Sequence, residues 1–350
     1  QTRARQSAKG AESAFRHNHL PYLSHGRLTI MASSVGGPRH VHEKPSLHGK
    51  NSLPFDVITG GLAATAACLF TNPMEVVKTR LQLQGEMQGK GSVKAYNGLF
   101  DCARKIIRNE GILAIQKGLV PGALYQMTMN GVRLGMYPSL KRMSGDDGSH
   151  SAVNFMRQLG AAGLAGAAGA AAGSPLFMIK CRIQAMSTQI GTVGHQHHYK
   201  GTIDGFRQVL KEEGWKGLVR GLDGAIPRVM VGSGTQLSSY DSTKRLLLSL
   251  GGFHEGIGLH LAASMFSGLF VTTIMNPFDV VSTRLYNQPQ GALRVYSGPI
   301  DCFAKTFRAE GFGGFYKGWL AHYTRLGPHT VLCLVFWEQT KLMAWRMGLS

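Results

Sequence analysis

Acidic residues are what this sequence has least of. Its 350 residues hold 19 Asp and Glu against 38 Lys and Arg, a formal net charge of +19. Charged residues make up only 16% of the chain, so the positive excess sits on an otherwise apolar molecule. Such an excess points to nucleic acid, anionic lipid or an anionic substrate. Catalytic signatures are also missing. There is no GxSxG, no P-loop, no HExxH and no dinucleotide fingerprint, so no enzyme class is suggested. Cysteine is sparse: Cys68, Cys102, Cys181, Cys302 and Cys333 form no CxxC and no His/Cys cluster. Their scatter and odd number argue against a secreted disulfide scaffold and leave them as packing residues. No metal and no cofactor is expected. Glycine, by contrast, is abundant at 46 residues. That is too many for ordinary soluble helices, but Gly is common where membrane helices pack closely.

Residues 1–51 differ from the rest. The first 50 hold eight Lys/Arg, six His and two acids, Glu12 and Glu43. An Arg-rich, acid-poor segment has the composition of a mitochondrial transit sequence. A disordered extension fits it equally, and no run in it is apolar enough to span a bilayer.

The remaining chain repeats itself. Pro73, Pro175 and Pro277 are spaced by 102 residues, in the strings NPMEVVKTRLQ, SPLFMIKCRIQ and NPFDVVSTRLY. Three further landmarks follow each proline in order. They are Tyr96/Tyr199/Tyr296 two residues before a glycine, Glu110/Glu213/Glu310 followed by glycine, and Lys117/Arg220/Lys317 followed by glycine. Four landmarks recurring three times define three units: residues 52–146, 147–250 and 251–350. Each unit reads as long helix, short amphipathic helix, long helix. The long helices are expected near 54–84, 119–143, 152–184, 222–248, 257–288 and 319–345. The short ones are expected near 98–109, 202–212 and 299–309. About 20 apolar residues span a hydrocarbon core, and a spanning segment must satisfy its own backbone. The expected fold is therefore an all-α membrane protein with six transmembrane helices. A proline inside each odd-numbered span predicts a kink that brings three helix ends together.

At these residues the chain resembles the mitochondrial carrier family, whose thrice-repeated motif is P-x-[DE]-x-x-[KR], an acidic-Gly pair and an aromatic-[KR]-Gly step. The resemblance covers about residues 52–346. It implies a pseudo-threefold six-helix bundle in the mitochondrial inner membrane, with short matrix helices and alternating access through two gates. It also implies a functional monomer. In such proteins the acid of each odd span pairs cyclically with the base of the next. That implies a matrix gate of Glu75 with Lys180 and Asp279 with Lys78. The third pair would join Phe177 and Ser282, which carry no charge. Losing both partners leaves no unpaired buried charge. The cytoplasmic gate is implied at the ends of the even spans, as Asp241 with Lys341 and Glu338 with Lys141; Pro138 stands where Lys244 would find its acid. The glycines of the Tyr-x-Gly and Lys/Arg-Gly steps are Gly98, Gly201, Gly298, Gly118, Gly221 and Gly318. They precede helix N-termini, which attract phosphate. The family implies bound cardiolipin there; turn and capping chemistry is the plainer alternative.

Repeat positions also suggest a cargo. Counting 29 residues from each Tyr-x-Gly tyrosine gives Tyr125, Arg228 and Arg325. Charge within a spanning helix defaults to function. Two arginines can hold a dianion bidentately, with Tyr125 adding a hydroxyl. No acid lies in 119–137, 224–240 or 319–337 of the even helices, so these arginines are not expected to be spent on ion pairs with acids or on lipid head groups. Arg133, two turns beyond Tyr125, is a further candidate substrate contact. His322 and His329 flank Arg325 and either carry a coupled proton or make local hydrogen bonds. The strings around Arg325 and Arg133 resemble the oxoglutarate and dicarboxylate carriers. LYQ, TRLYNQP and FWEQ look closest to the oxaloacetate carrier subgroup. The reading is exchange of a small anion of the oxaloacetate, malonate, sulfate or thiosulfate class. A dicarboxylate/oxoglutarate exchanger and an uncoupling-like proton-leak carrier are the alternatives. A nucleic-acid binder is disfavoured by six long apolar spans.

Overall fold

Length and capping define the helices. The chain forms α1 (Leu53–Leu83), α2 (Leu99–Glu110), α3 (Leu119–Met143), α4 (Ala152–Ala185), α5 (Thr202–Leu218), α6 (Leu222–Ser249), α7 (Ile257–Asn287), α8 (Pro299–Glu310) and α9 (Trp319–Arg346). This computed structural model describes residues 53–88, 94–145, 151–187, 193–251, 257–289 and 291–347. The expectation for residues 1–51 falls outside them, as does the side chain of Asp241. The short helices α2, α5 and α8 start alike. The carboxylates of Asp101, Asp204 and Asp301 accept from the backbone N–H of Asn97, Lys200 and Ser297 at 2.8, 2.8 and 2.9 Å. An acid in the first turn also complements the helix dipole. α5 runs to Leu218, past the expected end near 212, because a bend at Gly214 (φ 65°) joins it to the following turn. In the other two units a separate 3₁₀ turn, Ile112–Gln116 or Phe312–Tyr316, follows instead.

The six long helices close a ring. Each packs against two others in the order α1, α3, α4, α6, α7, α9 and back to α1. All six continue through an internal proline. In α1 and α7 an asparagine just before that proline ties the helix to the turn ahead of the next long helix. Asn72 donates to Gln116 and to the Lys117 carbonyl at 3.2 and 3.3 Å, and Asn276 donates to the Phe315 carbonyl at 2.6 Å.

The polarity of the ring is the reverse of a soluble bundle. Glu75, Lys78, Arg80, Lys180, Asp279 and Arg284 are buried inside, whereas Phe70, Leu69, Met156, Met265, Phe270 and Val335 are exposed outside. An exposed apolar belt around a polar interior fits a bilayer, where no water competes for the outer face. Among the described residues only α4 is apolar enough along its length to cross a membrane by composition alone. The other five long helices carry polar and charged residues among their buried positions, such as Glu75, Lys78, Arg228, Asp279 and His322, which lower their mean hydropathy. The sequence expectation of six apolar spans is corrected to that extent.

Candidate functional site

The acids and bases that follow the three prolines meet at the end of the bundle that carries the short helices. Lys78 Nζ lies 2.7 Å from Asp279 Oδ2, and Lys180 pairs with Glu75 Oε2. Gln82 donates to the same Asp279 oxygen at 2.7 Å and accepts from Thr283 at 3.0 Å. All four ion-pair residues are buried.

The third sector of this ring is aromatic. Phe177 packs against Tyr125 and Tyr286 with ring centroids at 4.9 and 5.1 Å. The Arg228 guanidinium lies 4.9 Å from the Phe177 centroid, and Lys180 Nζ lies 5.7 Å from it. Cations over aromatic faces are attracted by the ring quadrupole. Ser174 and Tyr286 close the sector through a 2.9 Å hydroxyl contact. A Cβ on Gly173 would approach the Tyr125 ring to 2.8 Å, so Gly173 gives that ring its place.

The two arginines are not isolated from acid, which corrects the sequence expectation. Arg325 pairs with Glu75 Oε1, and Arg228 Nη1 stands 3.6 Å from Asp279 Oδ1. The acids come from the odd spans α1 and α7, not from the even spans. Arg228 also donates to the Tyr125 hydroxyl at 3.2 Å. Tyr125, Arg228 and Arg325 thus converge on the ion-pair ring itself. Within the cluster, four cations (Lys78, Lys180, Arg228, Arg325) face two carboxylates (Glu75, Asp279). The formal charge is two positive in excess. The Nε of Arg228 and of Arg325 are buried without a hydrogen-bond partner.

A threefold set of contacts was missed in the sequence. Arg80, Arg182 and Arg284 are wholly buried and bind Glu110, Glu213 and Glu310 at 2.5, 2.7 and 2.6 Å. Lys117, Arg220 and Lys317 reach the same acids at 2.6, 3.2 and 2.6 Å. Each unit is thereby stitched from its long helix through its short helix to the next long helix. Burial alone would raise the Glu110 carboxyl, but hydrogen bonds from Arg80 and Lys117 hold it at about 2. The signal was available: an arginine recurs seven residues after each proline.

A profile of the family described as "Mitochondrial carrier protein" matches residues 49–148, 151–250 and 253–348. The chain belongs to the mitochondrial carrier family. It is a multi-pass protein of the mitochondrial inner membrane. Among its relatives, mouse "Solute carrier family 25 member 35" is 45% identical over 294 residues, 82% of this chain and 97% of that protein. The "Mitochondrial oxaloacetate transport protein" of Saccharomyces cerevisiae is 42% identical over 81% of this chain and 87% of its own length. The "Mitochondrial citrate transporter E" of Aspergillus niger is 41% identical over 83% of this chain and 93% of its own length.

At the opposite end of this carrier, Glu338 and Lys141 do not meet. Glu338 is exposed and makes no ion pair with a described residue. Lys341 Nζ sits 3.9 Å over the Trp337 ring. Lys141 and Lys244 are half-buried, and Asp241 lies outside the described side chains. Arg133 is half-buried and makes no hydrogen bond or ion pair with a described residue. At 100° per residue it lies between Tyr125 and Gln126 on the inner face of α3.

His322 and His329 make hydrogen bonds between helices rather than local ones. His322 Nδ1 lies 3.2 Å from Asn276 Oδ1. Thr71 donates its hydroxyl to the Ala67 carbonyl, so it accepts from His329 Nδ1–H at 3.2 Å. His329 Nε2 then accepts from Gln126 at 2.8 Å. This clip joins α9 to α1 and α3.

The six glycines fall into two classes. Gly118, Gly221 and Gly318 begin long helices with φ of 72°, 82° and 74°. A Cβ on Gly118 would meet Gln184 Cγ at 2.9 Å, and one on Gly318 would meet the Lys78 carbonyl at 3.1 Å. Left-handed backbone and close approach both require glycine there. Gly98, Gly201 and Gly298 precede the short helices, and nothing crowds Gly98 or Gly201 within 4 Å. A cavity of about 870 Å³ is lined by Tyr96, Asn97 and Gly98 of the first unit with Lys317 and Gly318 of the third. A second, about 380 Å³, is lined by Arg220, Gly221, Gln288 and Arg294.

Proposed function

We propose that this carrier exchanges small dianions of the oxaloacetate, malonate, sulfate or thiosulfate class by alternating access. The observation that carries the reading is the unbalanced cluster. Two positive charges in a buried site call for a ligand of two negative charges, because uncompensated charge is costly there. The unpartnered Nε groups of Arg228 and Arg325 supply donors for its oxygens. Oxaloacetate and citrate in the names of two relatives are consistent with an anionic cargo. Tyr125 in the third sector leaves room and charge for two anionic groups rather than three.

Anion entering from the intermembrane side competes with Glu75 and Asp279 for the arginines. Each acid then keeps its lysine but loses its arginine, so fewer contacts hold the matrix gate of Glu75, Lys180, Asp279 and Lys78 closed. The gate opens while Lys141, Asp241, Lys244, Glu338 and Lys341 draw together on the other side. Only differential affinity for the opening state drives this shift. Cardiolipin phosphates bind at the two glycine-lined cavities, in the first of which a short-helix N-terminus faces the start of a long helix.

The test is exchange in liposomes loaded in turn with sulfate, malonate, malate, oxaloacetate, oxoglutarate, citrate, phosphate and ADP. Exchange of sulfate and small dicarboxylates, lost in Arg325→Ala, is the expected result. Exchange of ADP alone, or wild-type rates in folded Arg325→Ala, would overturn the reading.

A further inference from the structure

We propose that residues 193–199 form a latch across the matrix mouth, with His197 and Asn287 as positioning residues that hold the α4–α7 interface while the matrix side is closed. The proposal rests on the alternating-access reading and concerns the interface that the ion-pair ring leaves uncharged. Between α1 and α4, and between α7 and α1, a buried acid meets a lysine. Between α4 and α7 the equivalent positions hold Phe177 and Ser282, and no ion pair joins these two helices among the described residues. The segment that follows α4 supplies a tie there. Asn287, the last residue of α7, donates its side-chain amide to the His195 carbonyl at 3.1 Å, and its own carbonyl lies 3.0 Å from His197 Nε2. On its other side the same segment reaches the end of α1. Val193 forms an antiparallel bridge with Gln84, and Gly194 donates its N–H to the Leu83 carbonyl at 3.1 Å.

Local chemistry fixes this geometry. The Tyr199 hydroxyl accepts from Arg182 at 2.9 Å, so its own proton is directed to His197 Nδ1 at 3.4 Å. The ring proton of His197 is then on Nε2 and donates to the Asn287 carbonyl. Burial, reinforced by the Arg182 guanidinium, holds the His197 ring down at about 3, so it stays neutral and keeps that tautomer. The ring is stacked on Tyr199 with centroids 5.5 Å apart, and His195 meets it edge-on at 4.7 Å. Gly194 marks the point where the three units meet. Its φ is 49°, and a Cβ there would stand 2.7 Å from Asn287 Nδ2, 3.2 Å from Glu86 Oε2 and 3.2 Å from Leu83 Cβ. Backbone and space both call for glycine. Tyr296 completes the circuit by donating to Glu86 Oε1 at 3.0 Å. The contacts between His197, His195 and Asn287 carry no net charge, so they do not compete for the anion. They are lost when α7 moves away from α4.

Cys181 is a native reporter of this interface. It is buried on α4 with its thiol 3.6 Å from the Thr283 carbonyl of α7, so a reagent reaches it when the two helices part. The experiment uses the full chain in lipid nanodiscs, with the other four cysteines replaced by Ala, and follows alkylation of Cys181 by N-ethylmaleimide. A companion chain that keeps only Cys102, buried on α2, reports general loosening. Asn287→Ala and His197→Phe should each speed alkylation of Cys181 about two- to tenfold, the range for one lost hydrogen bond, and leave Cys102 unchanged. His198→Ala, an exposed side chain of the same segment, should change neither. Equal acceleration at Cys181 and Cys102 would overturn the proposal, because it marks loosening of the fold. So would unchanged Cys181 alkylation in both variants while an exchanged anion still speeds it in the parent chain. No response of the parent chain to any anion it exchanges would remove the alternating-access reading, and the latch with it.

Discussion

The proposed coupling makes Glu75 the residue on which substrate and gate compete, and its neutralisation gives the sharpest test. One carboxylate oxygen faces Lys180 and the other faces Arg325. Glu75→Gln keeps shape and volume but leaves both cations without their counter-charge. Removing one partner of a buried pair costs roughly 3–5 kcal/mol. If the pairs exist only while the matrix side is closed, that conformer alone bears the loss. An equilibrium displaced by that much shifts at least about a hundredfold toward the matrix-open form. Arg325, released from its internal acid, should meanwhile hold external anion more tightly. The expected outcome is therefore a split: exchange in proteoliposomes with lower KM and lower kcat, and a reduced melting temperature in detergent. Unchanged KM with a lowered kcat would show that Glu75 does not compete with substrate. Wild-type values of both would refute the gate.

Other perturbations follow from the same contacts. Glu75→Lys combined with Lys180→Glu should recover only part of the exchange lost in either single variant. The reversed pair places Lys beside Arg325, and full recovery would mean that the Arg325 contact is immaterial. Phe177→Ala should destabilise the carrier by about 3–5 kcal/mol and raise KM, because the ring that supports Arg228 is removed; a melting shift without a KM change would confine Phe177 to packing. The Glu110 carboxyl is held at about 2 in the fold against about 4.3 in an unfolded chain. Its contribution is fully present above about pH 4.3 and is lost as pH falls through about 2. Melting temperature followed from pH 7 to 3 should fall on the acid side, and less steeply in Glu110→Gln. Parallel acid limbs would exclude this carboxylate.

What could be read in the sequence depended on whether a property belonged to one repeat or to the meeting of several. The 102-residue spacing located all six long helices within about two residues of their observed ends, because length and periodicity are local. Cyclic pairing placed Lys78 with Asp279 and Lys180 with Glu75, because equivalent positions on three kinked helices arrive at one depth. The contacts from Arg325 to Glu75 and from Arg228 toward Asp279 were not legible. They join an even helix to an odd one, and only the relative depth of the two in the bundle decides whether an arginine reaches the ring. The aromatic third sector was illegible for another reason. Phe177 reads as a lost charge, and nothing in its identity says that it carries two cations on its face. The two omissions have one consequence for function. Were Arg228 and Arg325 free of acid, affinity for the anion and stability of the gate would be independent quantities. Because Glu75 and Asp279 stand between the arginines and the lysines, the proposed mechanism has any anion that satisfies the arginines withdraw contacts from the gate. A ligand of a single charge satisfies only one arginine and leaves the other acid engaged, so it should bind without opening the second pair. On the proposed reading, selectivity for dianions then belongs to the transport step itself, rather than to binding alone.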